Sequence, residues 1–169
     1  YQTERIVFPD LSTGVTLMRL SDTPYGDGGD ELFYFGKACW NADGSLMTWM
    51  RSRKVGLWGP SAQTGDETHG VLVVNGDGTR PRIAFKGVRL LRIPVCHPRV
   101  PNLAYSCAGN DLVELDLRAG KVLRTVKAGL MCWWLKLSPD GKYACSARRN
   151  PETKKREFWV VEVETGKMW

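Results

Sequence analysis

The chain has 169 residues, of which 43% are hydrophobic and 25% are charged, and its formal net charge is +6. This length suits a single domain that buries about two-thirds of its unfolded surface, so a small domain held together by disulfides is excluded. The sequence shows no membrane-spanning apolar run and no signal peptide, and its positive charge favours anionic partners without selecting a class of them.

A turn that ends in glycine recurs along the chain. The intervals between successive turn glycines are 64, 42 and 46 residues. The last two match the roughly 40 to 45 residues of a four-stranded propeller blade. The first interval is longer because it contains two loop-like stretches, 21–31 and 52–68, rich in Gly, Pro, Asp and Thr. The recurring glycines are Gly14, Gly78, Gly120 and Gly166.

Strand-like segments alternate with these turns from one end of the chain to the other. They are rich in β-branched and aromatic residues, and no helical periodicity of useful length accompanies them. Turns at Asp43-Gly44 and Asp140-Gly141 lead into the second strand of their units. The other predicted strands, in chain order, are Thr16–Leu20, Leu32–Lys37, Gly70–Val74, Arg82–Phe85, Arg89–Val95, Leu112–Asp116, Val122–Val126, Met131–Leu137 and Phe158–Val163.

The predicted fold is an all-β propeller of four-stranded antiparallel blades, about three and a half of which lie in this chain. We expect one partial propeller domain over 1–169. It divides into the end of a blade at 1–20 and blades at 31–86, 88–127 and 130–169. Propellers close a ring of about four to eight blades, and an open ring leaves unpaired sheet edges. We therefore expect the remaining blades of a larger ring, or further copies of the chain, to complete it.

Cysteine usage indicates neither a disulfide framework nor a zinc knuckle, because the number is odd and no CxxC pair occurs. The cysteines are predicted to fill the core as small apolar side chains. The compartment, cytoplasm or periplasm, is left open. The five cysteines are Cys39, Cys96, Cys107, Cys132 and Cys145.

Antiparallel meandering places the tight turns of every blade at one end of the ring and the long connections at the other. Function on such scaffolds concentrates in long loops carried by rigid elements. The site is therefore expected at the end that carries 21–31, 52–68 and 150–156, where the first loop is acidic and the other two contain basic clusters. Charged loops are also often simply solvated, and that alternative stays open.

The residues predicted to bind an acidic ligand lie at this loop-rich end. The arginine fork binds a carboxylate or sulfate in two places, and a tryptophan ring suits the face of a sugar. His69 is the candidate general base, whereas His97 lies in a turn at the opposite end and is predicted to be structural. Two histidines at opposite ends cannot form a three-histidine metal site, so no metal ligand is predicted within the chain. The predicted binding residues are Tyr34, Arg51, Arg53, Trp58, Arg148 and Arg149.

Five tryptophans fall in predicted strands. They are predicted to pack between blades, because their large apolar rings suit that environment. They are Trp40, Trp49, Trp133, Trp134 and Trp159.

Three motifs near the start carry a family resemblance. They are Asp10-Leu11-Ser12-Thr13-Gly14 with the Arg19-Leu20-Ser21-Asp22 segment that follows, Phe33-Tyr34-Phe35, and Trp40-Asn41-Ala42-Asp43-Gly44. Together they resemble the opening of an oligogalacturonate lyase, a branch of the TolB-like propellers. Leu137-Ser138-Pro139-Asp140-Gly141-Lys142 is similar to the general blade signature of the TolB-like proteins.

The resemblance implies a seven-bladed ring that splits short pectic oligogalacturonides by β-elimination. It further implies a base that takes the proton next to the uronate carboxylate. A divalent metal such as manganese, held mainly by histidines, would stabilise the charge that develops. In that family the metal-binding histidines belong to later blades, and no residue of this chain matches them. No catalytic residue is therefore carried over.

Two classes of function stay open on the sequence. One is a polysaccharide lyase-like propeller that acts on acidic (uronate) oligosaccharides. The other is a non-catalytic propeller scaffold that binds a protein or a glycan through its loop-rich face. A nucleic-acid platform is disfavoured because the basic residues are not interleaved with exposed aromatics along one strand.

Overall fold

The computed structural model describes residues 6–19, 29–31, 39–52, 69–90, 94–130, 134–150 and 152–169. Over these ranges the chain forms β-strands and no helix, and in particular no helix suited to crossing a membrane. The strands are β1 (Ile6–Pro9), β2 (Thr16–Arg19), β3 (Gly29–Glu31), β4 (Leu46–Ser52), β5 (His69–Asn75), β6 (Arg82–Ala84), β7 (Val95–Cys96), β8 (Leu103–Ala108), β9 (Asp111–Asp116), β10 (Lys121–Lys127), β11 (Lys136–Leu137), β12 (Tyr143–Arg149) and β13 (Arg156–Glu162).

The strands form four antiparallel sheets, and within each sheet the strands follow one another in chain order. β1 pairs with β2, β3 to β6 form a four-stranded sheet, β7 to β10 form another, and β11 to β13 form a three-stranded sheet. An antiparallel bridge between Val161 and Met168 occupies the fourth position of that last sheet. This arrangement confirms the prediction of an all-β propeller segment built from four-stranded antiparallel blades.

The recurring glycines have the backbone conformation that their turns require. Gly14, Gly78, Gly120 and Gly166 have φ values of 70°, 80°, 65° and 71°. Residues with a Cβ rarely adopt this left-handed region, which is why glycine recurs there. An acidic side chain in or just before each turn accepts hydrogen bonds within it. In the β9–β10 turn, for example, the Asp116 carboxylate accepts a hydrogen bond from the Ala119 amide at 2.9 Å.

The three larger sheets pack face to face in series, and the β7–β10 sheet uses its two faces for different neighbours. Leu46 and Val73 of the β3–β6 sheet share a buried cluster with Leu115 of the β7–β10 sheet. The opposite face of the β7–β10 sheet places Leu112 in a second cluster with Trp159 of the β11–β13 sheet. Because side chains alternate between the faces of a strand, the β7–β10 sheet meets the previous sheet on one face and the next on the other.

The tryptophan prediction is confirmed in part. Trp159 is only 3% exposed and packs in a cluster with residues of the β7–β10 sheet, as predicted. Trp49 is equally buried, in a cluster whose described members belong to its own sheet. The prediction is wrong for Trp40 and Trp134, which are 44% and 50% exposed. Trp40 lies between β3 and β4, where it forms an isolated bridge with Met47, and Trp134 lies just before β11. Trp133 lies outside the described residues.

The cysteines do not all fill the core. Cys107 is buried but disulfide-bonded. Cys145 is exposed, because its position on β12 points away from the packed face that Ala144 and Ser146 share. Cys39 and Cys96 are half-buried free thiols. The core-filling prediction is thus wrong for Cys145 and incomplete for Cys107.

Candidate functional site

The tight turns of each sheet meet at one end of the structure. In the three larger sheets a backbone hydrogen bond joins the turn before the second strand to the turn after the third. In chain order, Gly76 N donates to Ser45 O at 2.7 Å, Leu117 N donates to Asn102 O at 2.8 Å, and Val163 N donates to Lys142 O at 2.9 Å. The predicted segregation is confirmed: the β4–β5 and β12–β13 connections leave from the opposite end.

At that opposite end the β3–β5 register brings two predicted site residues together. Arg51 pairs with Asp30 on one side and with Gly70 on the other. His69 pairs with Ser52, so the backbones of Arg51 and His69 lie one register position apart on neighbouring strands. The long β4–β5 connection begins after Ser52, the last residue of β4, and ends at His69, the first residue of β5.

The other two predicted arginines lie at the corresponding end of the β11–β13 sheet. Arg148 pairs with Glu157 and Arg149 with Arg156, at the last positions of the β12–β13 ladder. The β7–β10 sheet stands between this sheet and the one that carries Arg51. The backbone therefore places the two arginine groups on the same end of the molecule but on different sheets.

The connection between β12 and β13 is a compact turn rather than the long loop that the sequence suggested. The Asn150 side-chain oxygen accepts hydrogen bonds from the amides of Glu152 at 2.8 Å and Thr153 at 3.0 Å. Lys154 has a φ of 57°, which closes the turn. The exposed Lys154 and Lys155 side chains keep this end basic. Tyr34, Arg53 and Trp58 lie outside the described residues, so their predicted roles stay predictions.

His97 has the structural role predicted for it. Its Nδ1 accepts hydrogen bonds from the amides of Arg99 and Val100, both at 3.0 Å, so this nitrogen carries no proton. Burial, together with the nearby Arg99 guanidinium, lowers the pKa of His97 against the opposing effect of Asp140 and Glu114. A histidine whose lone pair is occupied in this way is not available as a general base.

A polar cluster that sequence reasoning missed lies on the β7–β10 sheet and reaches the last sheet through Arg124, which donates to Val163 O at 2.8 Å. Tyr105 donates to the Glu114 carboxylate at 3.1 Å, and the Arg124 guanidinium pairs with the same oxygen at 2.9 Å. Burial, followed by the Glu114 charge, raises the pKa of Tyr105 well above its usual value. Tyr105 is therefore a proton donor at neutral pH, and the cluster is an inter-sheet link rather than an acid–base pair.

The described residues contain no group of three or more histidine, cysteine, aspartate or glutamate side chains arranged to hold a metal ion. The manganese that the family resemblance implies thus has no set of ligands in the described part of the chain. No chemical step is assigned to it here.

Neither family models nor curated proteins match the chain. Solved structures do. Over 100% of its length the chain superposes on an oligogalacturonate lyase in complex with manganese, with a TM-score of 0.67 and 14% sequence identity. It superposes equally completely on an oligogalacturonate lyase from Vibrio parahaemolyticus, with a TM-score of 0.65 and 13% identity.

The chain spans 46% of the length of each of these two proteins. At such low identity the similarity establishes the fold and leaves the activity to experiment. The chain therefore has the fold of a propeller segment like that of these two oligogalacturonate lyases.

Proposed function

We propose that the chain forms part of a lyase-like propeller that acts on acidic oligosaccharides by β-elimination. The observation that supports the proposal is the structural similarity of the whole chain to two oligogalacturonate lyases. Since the chain spans 46% of each, further blades complete a seven-bladed ring in this proposal. The segment described here then supplies one sector of the substrate-binding face.

The proposed role of that sector is to bind uronate carboxylates. β-Elimination removes the proton next to a carboxylate, and the electron pair released forms a double bond as the glycosidic C–O bond breaks. Pairing the carboxylate with guanidinium groups stabilises the negative charge that develops during this step. Arg51, Arg53, Arg148 and Arg149 are the proposed partners, with Tyr34 and Trp58 contacting the sugar rings.

His69 is the proposed base candidate in this sector. Its support is positional, because the β4–β5 register sets it beside Arg51 where the long connection ends. A guanidinium that holds the carboxylate next to an imidazole brings the acidic C–H bond and a neutral base together. Substitution of His69 therefore tests the assignment directly.

The test is to incubate the complete protein with oligogalacturonides, with and without added manganese, and to follow the absorbance of the unsaturated product. We expect product formation, a loss of rate of about 100-fold or more in His69→Gln, and a raised KM in Arg51→Gln. Absence of product under both metal conditions, with the protein folded, would contradict the proposal.

The binding-scaffold function makes a different prediction for the same protein. It predicts saturable binding of an oligogalacturonide without product. Replacing Arg51, Arg53, Arg148 and Arg149 with Ala then abolishes binding and leaves thermal stability nearly intact. A control variant, Arg99→Gln with Lys142→Gln, removes charge at the tight-turn end. Equal loss of binding in that control would mean that overall charge, and not the loop-rich face, attracts the ligand.

A further inference from the structure

A pocket of about 530 Å³ opens at the tight-turn end of the molecule, away from the loop-rich face. It lies between the two turns of the β3–β6 sheet and the β9–β10 turn of the next sheet. Its polar lining comes from Ser45, Asn75, Asp77, Arg80, Arg82 and Arg118.

Three arginines, Arg80, Arg82 and Arg118, line this pocket. Arg82 is half-buried and donates to the backbone carbonyls of Leu117 at 3.0 Å and Arg118 at 3.1 Å, which holds one face of its fork in place. Burial, together with the charge of Arg118, lowers the pKa of Arg82. The two cations are therefore close enough to repel each other, and an anion between them would relieve that repulsion.

Among the described residues that line the pocket, Asp77 is the one carboxylate set against three arginines. The side-chain and backbone donors of Thr79 engage its Oδ1 at 2.6 and 2.9 Å. Neither Arg80 nor Arg118 forms an ion pair within the described ranges. With three cationic side chains and one anionic, the lining carries a surplus of about two positive charges.

The backbone also presents Arg80 in an unusual conformation. Its φ is 53°, in the left-handed region that residues with a Cβ rarely adopt. Pro81 follows it and fixes the next φ angle. The backbone that carries the exposed Arg80 side chain is thus constrained at the rim of the pocket. Ser45 adds a hydroxyl group to the lining, and its oxygen accepts a hydrogen bond from the Asn41 side chain at 3.1 Å.

We propose that this pocket binds the phosphate group of a small phosphate monoester. A phosphate monoester carries a charge of about −1.5 to −2 at neutral pH and three acceptor oxygens, which matches the surplus charge and the forked donors of the lining. The pocket volume lies in the range of small-molecule sites, so it holds the organic part of the ester as well as the phosphate. This inference is independent of the lyase proposal, because the pocket lies at the opposite end of the sheets.

The experiment is calorimetric titration of the full chain with glucose 6-phosphate, inorganic phosphate and glucose, at constant ionic strength in chloride buffer. We expect one saturable site for glucose 6-phosphate, weaker binding of inorganic phosphate and no binding of glucose. Affinity falls when the pH is lowered from 7.5 to 5.5, because the ester loses one negative charge.

Arg80→Gln combined with Arg118→Gln should weaken glucose 6-phosphate binding at least about tenfold, since each charged hydrogen bond contributes measurably to affinity. Arg82 is left intact because its bonds to Leu117 and Arg118 join two sheets. The matched control, Arg99→Gln with Lys142→Gln, removes the same charge from neighbouring turns and should change the Kd less than about twofold. Near-UV circular dichroism verifies that both variants are folded.

Three results would overturn the proposal. The first is the absence of saturable glucose 6-phosphate binding by the unmodified chain. The second is an equal loss of affinity in the control variant, which would reveal unspecific attraction to a basic surface. The third is tighter binding of inorganic phosphate than of the ester, which would rule out an ester site.

Discussion

Three residues, Asn41, His97 and Ser138, begin the turns that precede the second strands of successive sheets, and each side chain accepts a hydrogen bond from a backbone amide of its turn. Asn41 Oδ1 and Ser138 Oγ accept from the amide five residues on, Leu46 N at 2.9 Å and Tyr143 N at 3.0 Å, whereas His97 Nδ1 accepts from Val100 N, three residues on, at 3.0 Å. An amide and a hydroxyl accept at any ordinary pH, whereas an imidazole accepts only when neutral. His97 therefore makes one turn of the series sensitive to acid.

The stability of the chain should fall as the pH drops from 7.5 to 5. The pKa of His97 is lower in the folded state than in the unfolded chain, where it is about 6.5. Between these values the unfolded chain binds more protons, so stability is complete above the unfolded-state pKa and is lost as the pH falls through the folded-state pKa. In His97→Asn, which copies the acceptor of the preceding blade, we expect about 1 kcal/mol less loss over this range. Urea denaturation at the two pH values measures the difference, and identical pH profiles would show that His97 is not responsible.

Gly141 and Gly44 form a matched pair for a second test at the residue scale. Both have positive φ, 78° and 70°, so alanine is strained at either position. A Cβ on Gly44 meets open space, while one on Gly141 would lie 2.0 Å from His97 Nε2. We expect Gly44→Ala to cost about 1 kcal/mol and Gly141→Ala clearly more.

Thermal denaturation of the two glycine variants measures this difference. Adding His97→Ser to Gly141→Ala should recover part of the excess, since the smaller side chain leaves room for the methyl group. Equal costs at Gly44 and Gly141 would mean that the backbone conformation alone matters.

At the scale of the element, the fourth strand of one sheet is tied to the turn of the next by an arginine. Arg82 on β6 donates to the carbonyls of Leu117 and Arg118. Arg124 on β10 donates to Val163 O at 2.8 Å and Glu164 O at 3.1 Å. Because both arginines lie four residues after a turn glycine, this link is a feature of the repeat, and the spacing is the signal by which the sequence could have revealed it.

Arg124→Met should destabilise the chain by about 2 to 3 kcal/mol. The substitution removes the bonds to Val163 and Glu164 and leaves the Glu114 side chain, which is 14% exposed, without its cationic partner. Lys121→Met on the same strand changes an exposed side chain and should have little effect. Chemical denaturation compares the two, and similar losses would argue against the arginine link.

At the scale of the whole molecule, the outward face of the β11–β13 sheet is apolar and uncovered by any described residue. Phe158 is 85% exposed and Val160 39% exposed on β13, and Trp169, 58% exposed, stacks edge-on against Tyr143 at 6.1 Å. On the opposite face, toward the β7–β10 sheet, Trp159 is buried and only 3% exposed. A sheet with two apolar faces is suited to a place between two neighbours, which supports the proposal that further blades or further copies complete the ring.

The 169-residue chain on its own should consequently self-associate at micromolar concentration. Burying the exposed face of β13 against another copy removes Phe158 and Val160 from water. Light scattering after size-exclusion chromatography measures the mass, and Phe158→Ser with Val160→Ser should shift it toward the monomer. A monomeric unmodified chain would contradict this expectation.

The sequence by itself determined the β-class, the repeat and the parity of its turns, because these depend on local chemistry. A glycine at positive φ, an acid that accepts from its own turn and an alternating strand are each specified within about ten residues. The resemblance to oligogalacturonate lyases was also visible there, and the structural comparisons agree with it.

Only the tertiary structure decided which distant side chains meet. His97 lies against Gly141, Arg124 against Val163, and the basic pocket collects Ser45 with residues of two other turns. The register likewise set His69 beside Arg51, although their role as ligand-binding residues stays a prediction. These contacts form between sheets or across long connections, so they depend on how the blades pack, and no local pattern in the chain encodes that packing residue by residue.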